Sequence, residues 1–285
     1  MNHKLKIAAL LPLCATLLAC GGGGTHAGAS TSSLTPAPAF KPSGSQRLAD
    51  GIWFGTNADG KPAFALLHGQ NNDAETEFYF ADGVGEDNYL GTYSGFLKLN
   101  DGDIGGASVV APLHFVHAVM SGHADAANTL SATFDLADRY VAGAPYGSYA
   151  MTYSADNNRP ASLAEVRGNY SPTARTLPGY QGYDTATTPR LSIDAQGKVI
   201  GKLLGCNLDG YIRVLDPSKN IYRFSVTAKS DTPGMGCVQG DASESLDLNG
   251  FAALVTLPHD KVRSLIFAAS GGSNLRMLAG AVPKQ

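Results

Sequence analysis

The chain reads as an all-β protein built from two antiparallel units. Three observations predict this. Apolar and polar residues alternate with a period of two along most of the chain after Arg47, hairpin-forming turns recur at short intervals, and apolar stripes of helical spacing with capping residues are nearly absent. In 221–227, for example, Tyr222, Phe224 and Val226 share one face while Arg223, Ser225 and Thr227 share the other. That is the pattern of a strand with one buried face.

In the first half the strand signals fall at 51–56, which runs into the turn Asn57-Ala58-Asp59-Gly60, then at 61–67, 76–81, 88–99, 104–110, 130–136 and 147–153. Asn100-Asp101-Gly102 marks a hairpin. The polar stretch 157–162, which contains Pro160, is the expected boundary between the units. The second half gives eight strand signals, at 164–170, 190–194, 198–203, 206–215, 221–228, 245–257, 262–269 and 274–282. Turn residues separate them at Asp194-Ala195-Gln196-Gly197, at 216–220, at His259-Asp260 and at Gly271-Gly272-Ser273. Eight short strands with tight connections are best closed into an up-and-down, calycin-like barrel, because closure removes both exposed edges. A Gly-x-aromatic opening recurs at Gly51-Ile52-Trp53, Gly91-Thr92-Tyr93 and Gly168-Asn169-Tyr170, as repeated strands or duplicated modules would give.

In the last strands the alternation fails. Phe251, Val255 and Leu257 oppose Ala252 and Leu254, and Leu265 and Phe267 oppose Val262 and Ile266, so apolar residues occupy both faces. A free-standing barrel has polar residues outside. The outer face of 250–269 is therefore expected to be covered, and the first half is the segment available to cover it.

The N-terminus carries an address. Lys4 and Lys6 precede an apolar segment, 7–19, which Pro12 interrupts and which is shorter than the roughly 20 residues of a membrane-spanning helix. It ends in Leu17-Leu18-Ala19-Cys20, which resembles the lipobox of bacterial lipoproteins. The resemblance implies a signal peptide at 1–19, cleavage before Cys20 and lipidation of that cysteine. Two lipid signals hold a soluble domain stably where one acyl chain binds marginally. The alternatives are a conventional secretory signal or a membrane helix. Residues 20–46 are rich in Gly, Ser, Thr, Ala and Pro and are expected to form a disordered tether. Gly21 rather than Asp follows the lipidated position, which in that family avoids inner-membrane retention and implies the outer membrane.

The lipobox, the Gly-x-Trp-x-Gly-Thr opening, Gly168-Asn169-Tyr170, the run from Leu191 to Gly201 leading to Gly205-Cys206, and Leu248-Asn249-Gly250-Phe251-Ala252 together look like poorly characterised lipoproteins of proteobacteria. The two-unit plan is similar, in architecture only, to surface lipoproteins such as transferrin-binding and factor H-binding proteins. Gly51-Ile52-Trp53 also resembles the Gly-x-Trp start of lipocalins. The expected organisation is signal peptide 1–19, lipidated Cys and tether 20–46, N-terminal β domain 47–160 and C-terminal barrel 161–285.

Only 16% of residues are charged and the formal net charge is −3, so neither a nucleic-acid footprint nor a polybasic membrane patch is present. Of four cysteines, Cys14 lies in the signal and Cys20 is the lipidation site, which leaves Cys206 and Cys237 as an expected disulfide in an oxidising compartment. Closing a loop of roughly 30 residues contributes about 3–4 kcal/mol in the chain-entropy account. The competing reading is a two-cysteine metal or redox pair, against which stand the lack of CxxC spacing and of any histidine nearby in sequence.

Catalytic signatures are missing: there is no Gly-x-Ser-x-Gly, His-Glu-x-x-His or Gly-x-x-x-x-Gly-Lys. The chain is expected to be non-enzymatic and to need no cofactor. His114, His117, His123 and Asp125 could ligate a metal if the segment turned helically. On a strand, residues three apart point to opposite faces. Solvated histidines on a partly buried segment are the favoured reading. His68 and His259 adjoin turn residues and read as exposed-loop histidines, and Trp53 reads as a plug at the end of the first barrel. Tyr180 and Tyr183 sit in a glycine-rich excursion between Ser171 and Pro189, where exposed tyrosines can anchor a partner, although a loop folded over its own barrel is the favoured reading. The expected function is an outer-membrane-anchored binding module for a protein or small ligand. The alternative is a periplasm-facing accessory, assembly or inhibitor protein of the envelope.

Overall fold

The computed structural model describes residues 48–69, 75–82, 92–111, 116–125, 128–136, 147–171, 190–203, 206–231, 245–257, 262–271 and 276–285. They form two eight-stranded antiparallel barrels in strict up-and-down order, both within one compact unit.

The first barrel comprises β1 (Gly51–Asn57), β2 (Pro62–Gly69), β3 (Glu75–Asp82), β4 (Thr92–Asn100), β5 (Asp103–Ala111), β6 (Val116–Asp125), β7 (Thr129–Leu136) and β8 (Gly147–Tyr153). It closes by pairing β1 with β8, Trp53 opposite Tyr153. Sequence periodicity yields seven of these strands and misses β6. The reason lies in its side chains: the inward positions include Gly122 and Ala124, while exposed Val119 faces outward, so hydrophobicity does not mark the pleat.

The second barrel comprises β9 (Gly168–Tyr170), β10 (Arg190–Ile193), β11 (Lys198–Leu203), β12 (Cys206–Asp216), β13 (Ile221–Ser230), β14 (Ser245–Thr256), β15 (Arg263–Gly271) and β16 (Arg276–Pro283). Its first and last strands meet at a bridge between Tyr170 and Lys284. Backbone bonds from Ser171 N to Pro283 O (3.0 Å) and from Gln285 N to Asn169 O (2.9 Å) flank that bridge. The strand expected at 164–170 is corrected. Its first half is instead a single helical turn, α1 (Leu163–Val166), and only Gly168–Tyr170 is strand. Ser162 caps the turn by accepting from Glu165 N (3.2 Å), and the spacing Ser162-x-x-Glu165 is a capping-box signature of a helix start.

Both interiors are filled by side chains. In the first barrel Tyr93 stacks on Phe134 with ring centroids 4.0 Å apart, and Phe80 and Tyr149 meet Phe134 edge-on at 5.3 and 5.5 Å. Trp53 is fully buried at the barrel end, edge-on to Tyr153 at 5.2 Å, with Nε1 donating to Ala49 O at 3.3 Å. The second interior is mainly aliphatic around Phe224, Phe267, Tyr222 and Tyr170. The two Gly-x-aromatic openings at Gly51 and Gly168 hold equivalent places. Each glycine has positive φ (133° and 149°) at the start of its barrel's first strand, and each aromatic is buried two residues on.

The barrels are joined by a third apolar cluster. Ile52, Phe64, Leu66, Tyr79 and Ala81, on the outer face of β1–β3, pack against Phe251, Ala253, Val255, Ile266, Ala268, Ala279 and Ala281 on β14–β16. This contact is why β14 and β15 carry apolar residues on both faces, and it is the covering that their sequence requires. Both barrels contribute large side chains to this contact, and Ala253, Ala268, Ala279 and Ala281 of the second barrel lie among them.

The connection between the barrels acts as a staple. After β8 the chain makes a short 3-10 turn (Ala155–Asn158) in which Asn157 is fully buried. Its Oδ1 accepts from Ile52 N (2.6 Å), and its Nδ2 donates to Ile52 O (2.8 Å) and Ser154 O (2.9 Å). A Cβ on Gly51 would lie 2.1 Å from Asn157 Oδ1, so the glycine makes room for this bond. On the other side Asp156 Oδ2 accepts from Thr256 N (3.0 Å), fixing the turn to β14.

Candidate functional site

Three places on the outer surface bear on function: the rim and loops singled out by sequence, the cleft where the barrels meet, and the uncovered face of the second barrel.

Tyr180, Tyr183, Cys237, His114 and Cys20 lie outside the described residues. Cys206 opens β12, is 2% exposed and is disulfide-bonded. His117 and His123 are both on β6. His123 is exposed and places Nδ1 3.0 Å from Asp103 Oδ1, while Asp125 accepts from Asn128 Nδ2 at 3.1 Å. Among the described residues no group of three or more His, Cys, Asp or Glu side chains is placed to hold a metal.

The junction cleft, about 720 Å³, is bounded by Leu48, Asp50 and His68 from the first barrel and by Leu215, Asp216 and Lys219 from the second. His68 is not an exposed-loop histidine. It stands on β2, half buried, edge-on to Phe251 at 5.7 Å and with Nδ1 3.0 Å from Asp50 Oδ2. The ring nitrogen is not aligned for a hydrogen bond across that distance. Asp50 Oδ1 accepts instead from Gly69 N (2.9 Å), and Lys219 Nζ donates to Tyr153 Oη (3.3 Å), whose hydroxyl donates to Asp50 O (3.0 Å). Hydrogen bonds from Ser218 N and Oγ hold the Asp216 carboxyl below the usual carboxylate range. The cleft's charged groups are thus engaged by neighbouring backbone and hydroxyl groups, and among the described residues no hydroxyl or thiol side chain lines it. Its chemistry is that of a structural seam.

The outer face of β10–β13 is different. Among the described residues, the most exposed large apolar side chains of the second barrel are here: Ile200 at 58% and Tyr211 at 45%. Strand register lays them in rows. Lys198, Tyr211 and Ser225 are directly opposite one another, and so are Ile200, Asp209 and Thr227. Lys198 Nζ bonds Asp209 Oδ1 and lies 4.9 Å from the Tyr211 ring centroid, and the Arg213 guanidinium lies 5.9 Å from the same ring. The bond to Asp209 is the main reason the Lys198 ammonium is held above its ordinary pKa. Period-two alternation marks these side chains as outward-facing. It gives no sign that they cluster, because clustering depends on register between strands.

The chain matches no protein-family model, and no curated protein and no solved structure matches it.

Proposed function

We propose that this chain is a non-enzymatic binding module, anchored to the outer membrane through a lipid on Cys20, that holds its partner on the outer surface of its barrels. The observation that carries this reading is the filling of both barrel interiors by their own side chains. Lipocalin-like barrels keep a chamber for a small ligand, whereas these interiors are packed cores. Recognition is thereby assigned to the exterior, and a protein partner is favoured over a small molecule.

The strand layout supports the same reading. The first described residues, Leu48 to Asp50, share the junction cleft with the turn after β12, whose other end begins at Cys206. A strand of 11 residues spans roughly 35 Å, so the far rim of the second barrel stands about that distance from the point where the tether joins. The strand ends that flank residues 172–189 and residues 232–244 lie at that rim. We propose that Cys237 is the disulfide partner of Cys206.

The test is Cys20→Ala in the native host. The variant should lose labelling by a radioactive or alkyne fatty acid and move from the membrane to the soluble fraction. Retention in the membrane at unchanged mass would overturn the lipid anchor. Protease shaving of intact cells then reads orientation, and protection of the wild-type domain would assign it to the periplasmic side as an envelope accessory protein.

A further inference from the structure

We propose that the outer face of β10–β13 is a docking surface for an acidic protein segment with an apolar residue between its carboxylates. This rests on the reading of the chain as a binding module and names its partner's chemistry. The starting observation is a surface kept against its own repulsion. Cross-strand register sets Arg190 directly opposite Lys202, and Arg213 directly opposite Arg223. Like charges in such positions destabilise a sheet.

In each pair, one cation is relieved within the protein and the other is not. Lys202 pairs with Asp231 (2.5 Å), which leaves Arg190 exposed with no ion pair among the described residues. Arg223 reaches Glu77 on the first barrel (3.5 Å) and lies over the Phe251 ring (4.6 Å), which leaves Arg213 with only the face of Tyr211 among the described residues. Lys229, which shares a row with Lys202 through Asn207, is likewise exposed. On this face Arg190, Lys198, Lys202, Arg213 and Lys229 stand against Asp194, Asp209, Asp231 and Asp247, an excess of one positive charge on a chain whose formal net charge is −3. Two of those acids are already held by Lys198 and Lys202.

The layout selects the ligand. The row of Arg213 and the row of Lys202 and Lys229 are six residues apart along β12, roughly 20 Å. Exposed Tyr211 and Ile200 fill the space between them. A sulfated glycan or a lipid headgroup would match the cations but gain nothing from Ile200. An extended peptide or protein ridge with acids at both ends and an apolar side chain between them matches both. Every strand of this face has hydrogen-bonded neighbours on both sides, so a partner binds through side chains rather than by adding a strand. The opposite face of the same barrel is sealed by the first barrel, whereas on this face Ile200, Tyr211, Arg213 and Arg190 are exposed, the contact with the first barrel being confined to its edge at Arg223, Ile221 and Leu215.

The experiment uses the full chain in detergent and a fluorescent peptide with acidic residues at both ends and Leu-Phe at its centre. Fluorescence anisotropy should show saturable binding that weakens with salt. Arg213→Gln and Arg190→Gln should each weaken it about tenfold, and Ile200→Ser by about threefold or more, as loss of a charge partner and of an apolar anchor predict. These side chains are exposed, so the variants should melt with wild-type midpoints, and a variant that melts lower is replaced by the methionine substitution at an arginine site, which also removes the charge, or by Ile200→Thr. The same peptide with amidated acids should not bind. Three outcomes overturn the proposal: no binding of the acidic peptide, equal binding of the amidated one, or binding of a sulfated oligosaccharide or phosphatidylglycerol vesicles that is indifferent to Ile200→Ser. The lipid-tethered reading fails on a separate readout, lipid labelling at Cys20, so either can fall without the other.

Discussion

The second barrel has two outer faces of opposite character. On β14–β16 the outward residues of the junction cluster, Phe251, Ala253, Val255, Ile266, Ala268, Ala279 and Ala281, are all buried against the first barrel. On β10–β13 the outward residues Arg190, Lys198, Ile200, Tyr211 and Arg213 are all at least partly open to solvent. The same strand geometry produces both. Alternation directs one residue in two outward, and what stands there decides whether the face becomes a core or remains a surface. Apolar area withdrawn from water on the sealed face is worth roughly 25 cal/mol per Å². Ion pairs on the open face contribute little to folding. The sealed face therefore carries stability, and the open face is free to carry recognition.

Paired substitutions on the two faces give the widest separation. Phe251 is fully buried, meets Tyr79 edge-on at 5.4 Å and lies beneath Arg223. Phe251→Ala should cost about 3–5 kcal/mol, the usual range for emptying a buried aromatic site. Tyr211→Ala should stay within about 0.5 kcal/mol of wild type. Urea unfolding followed separately by the fluorescence of Trp53, in the first barrel, and by far-ultraviolet circular dichroism should show a single coincident transition that shifts with Phe251→Ala. Separate transitions for the two signals would mean that the barrels unfold independently and that the sealed face is not a shared core.

A second substitution on the sealed face tests its polar anchor. Tyr79 Oη lies 3.0 Å from both Glu77 Oε1 and Asn249 O, and 3.4 Å from Ser270 Oγ. Burial first, and then the Glu77 carboxylate, raise its phenol pKa far above the ordinary value. A group that binds its proton more tightly when folded contributes stability that is intact below the unfolded pKa. That stability is lost as pH rises beyond it. The unfolded value is about 10, so stability should be flat to about pH 9 and fall above pH 10. Tyr79→Phe should cost about 1 kcal/mol at neutral pH for the lost hydrogen bond and make the fall above pH 10 shallower. Tyr170 and Tyr222 are raised by burial as well, so the slope should shrink without vanishing. An unchanged slope would place Tyr79 in water.

The strands and the two-barrel plan were legible because alternation with hairpin turns is a local signal. The covered face was legible for the same reason, since 250–269 lacks a polar side. What escaped were features set by partners distant in sequence. Asn157 reads as a boundary residue, yet it bonds Ile52 across 105 positions, and only the glycine at 51, kept small for its approach, hints at the pair. His68 reads as a loop histidine because Gly69 follows it, and it is instead drawn into the seam by Phe251 from the other barrel. The open face escaped altogether. Arg190, Lys202, Arg213 and Lys229 become neighbours only through register, which single-strand periodicity does not encode.

The smallest expected effect contrasts two serines on the sealed face. Both are on β15 and both are buried, Ser264 at 0% and Ser270 at 6% exposure. Ser270 Oγ lies within reach of Tyr79, whereas Ser264 Oγ, between Val255 and Pro283 in the register, has no hydrogen-bond partner among the described residues. A buried hydroxyl with no partner retains its desolvation cost, about 1–3 kcal/mol, while a satisfied one offsets it. Ser264→Ala should therefore raise stability by about 0.5–1 kcal/mol, with the void left by one oxygen consuming part of the gain. Ser270→Ala should lower it by a similar amount, because Tyr79 then loses a neighbour. The two variants should shift the urea midpoint in opposite directions at constant slope. If Ser264→Ala shifts it downward as well, its hydroxyl is satisfied, and the sealed face admits water between the barrels.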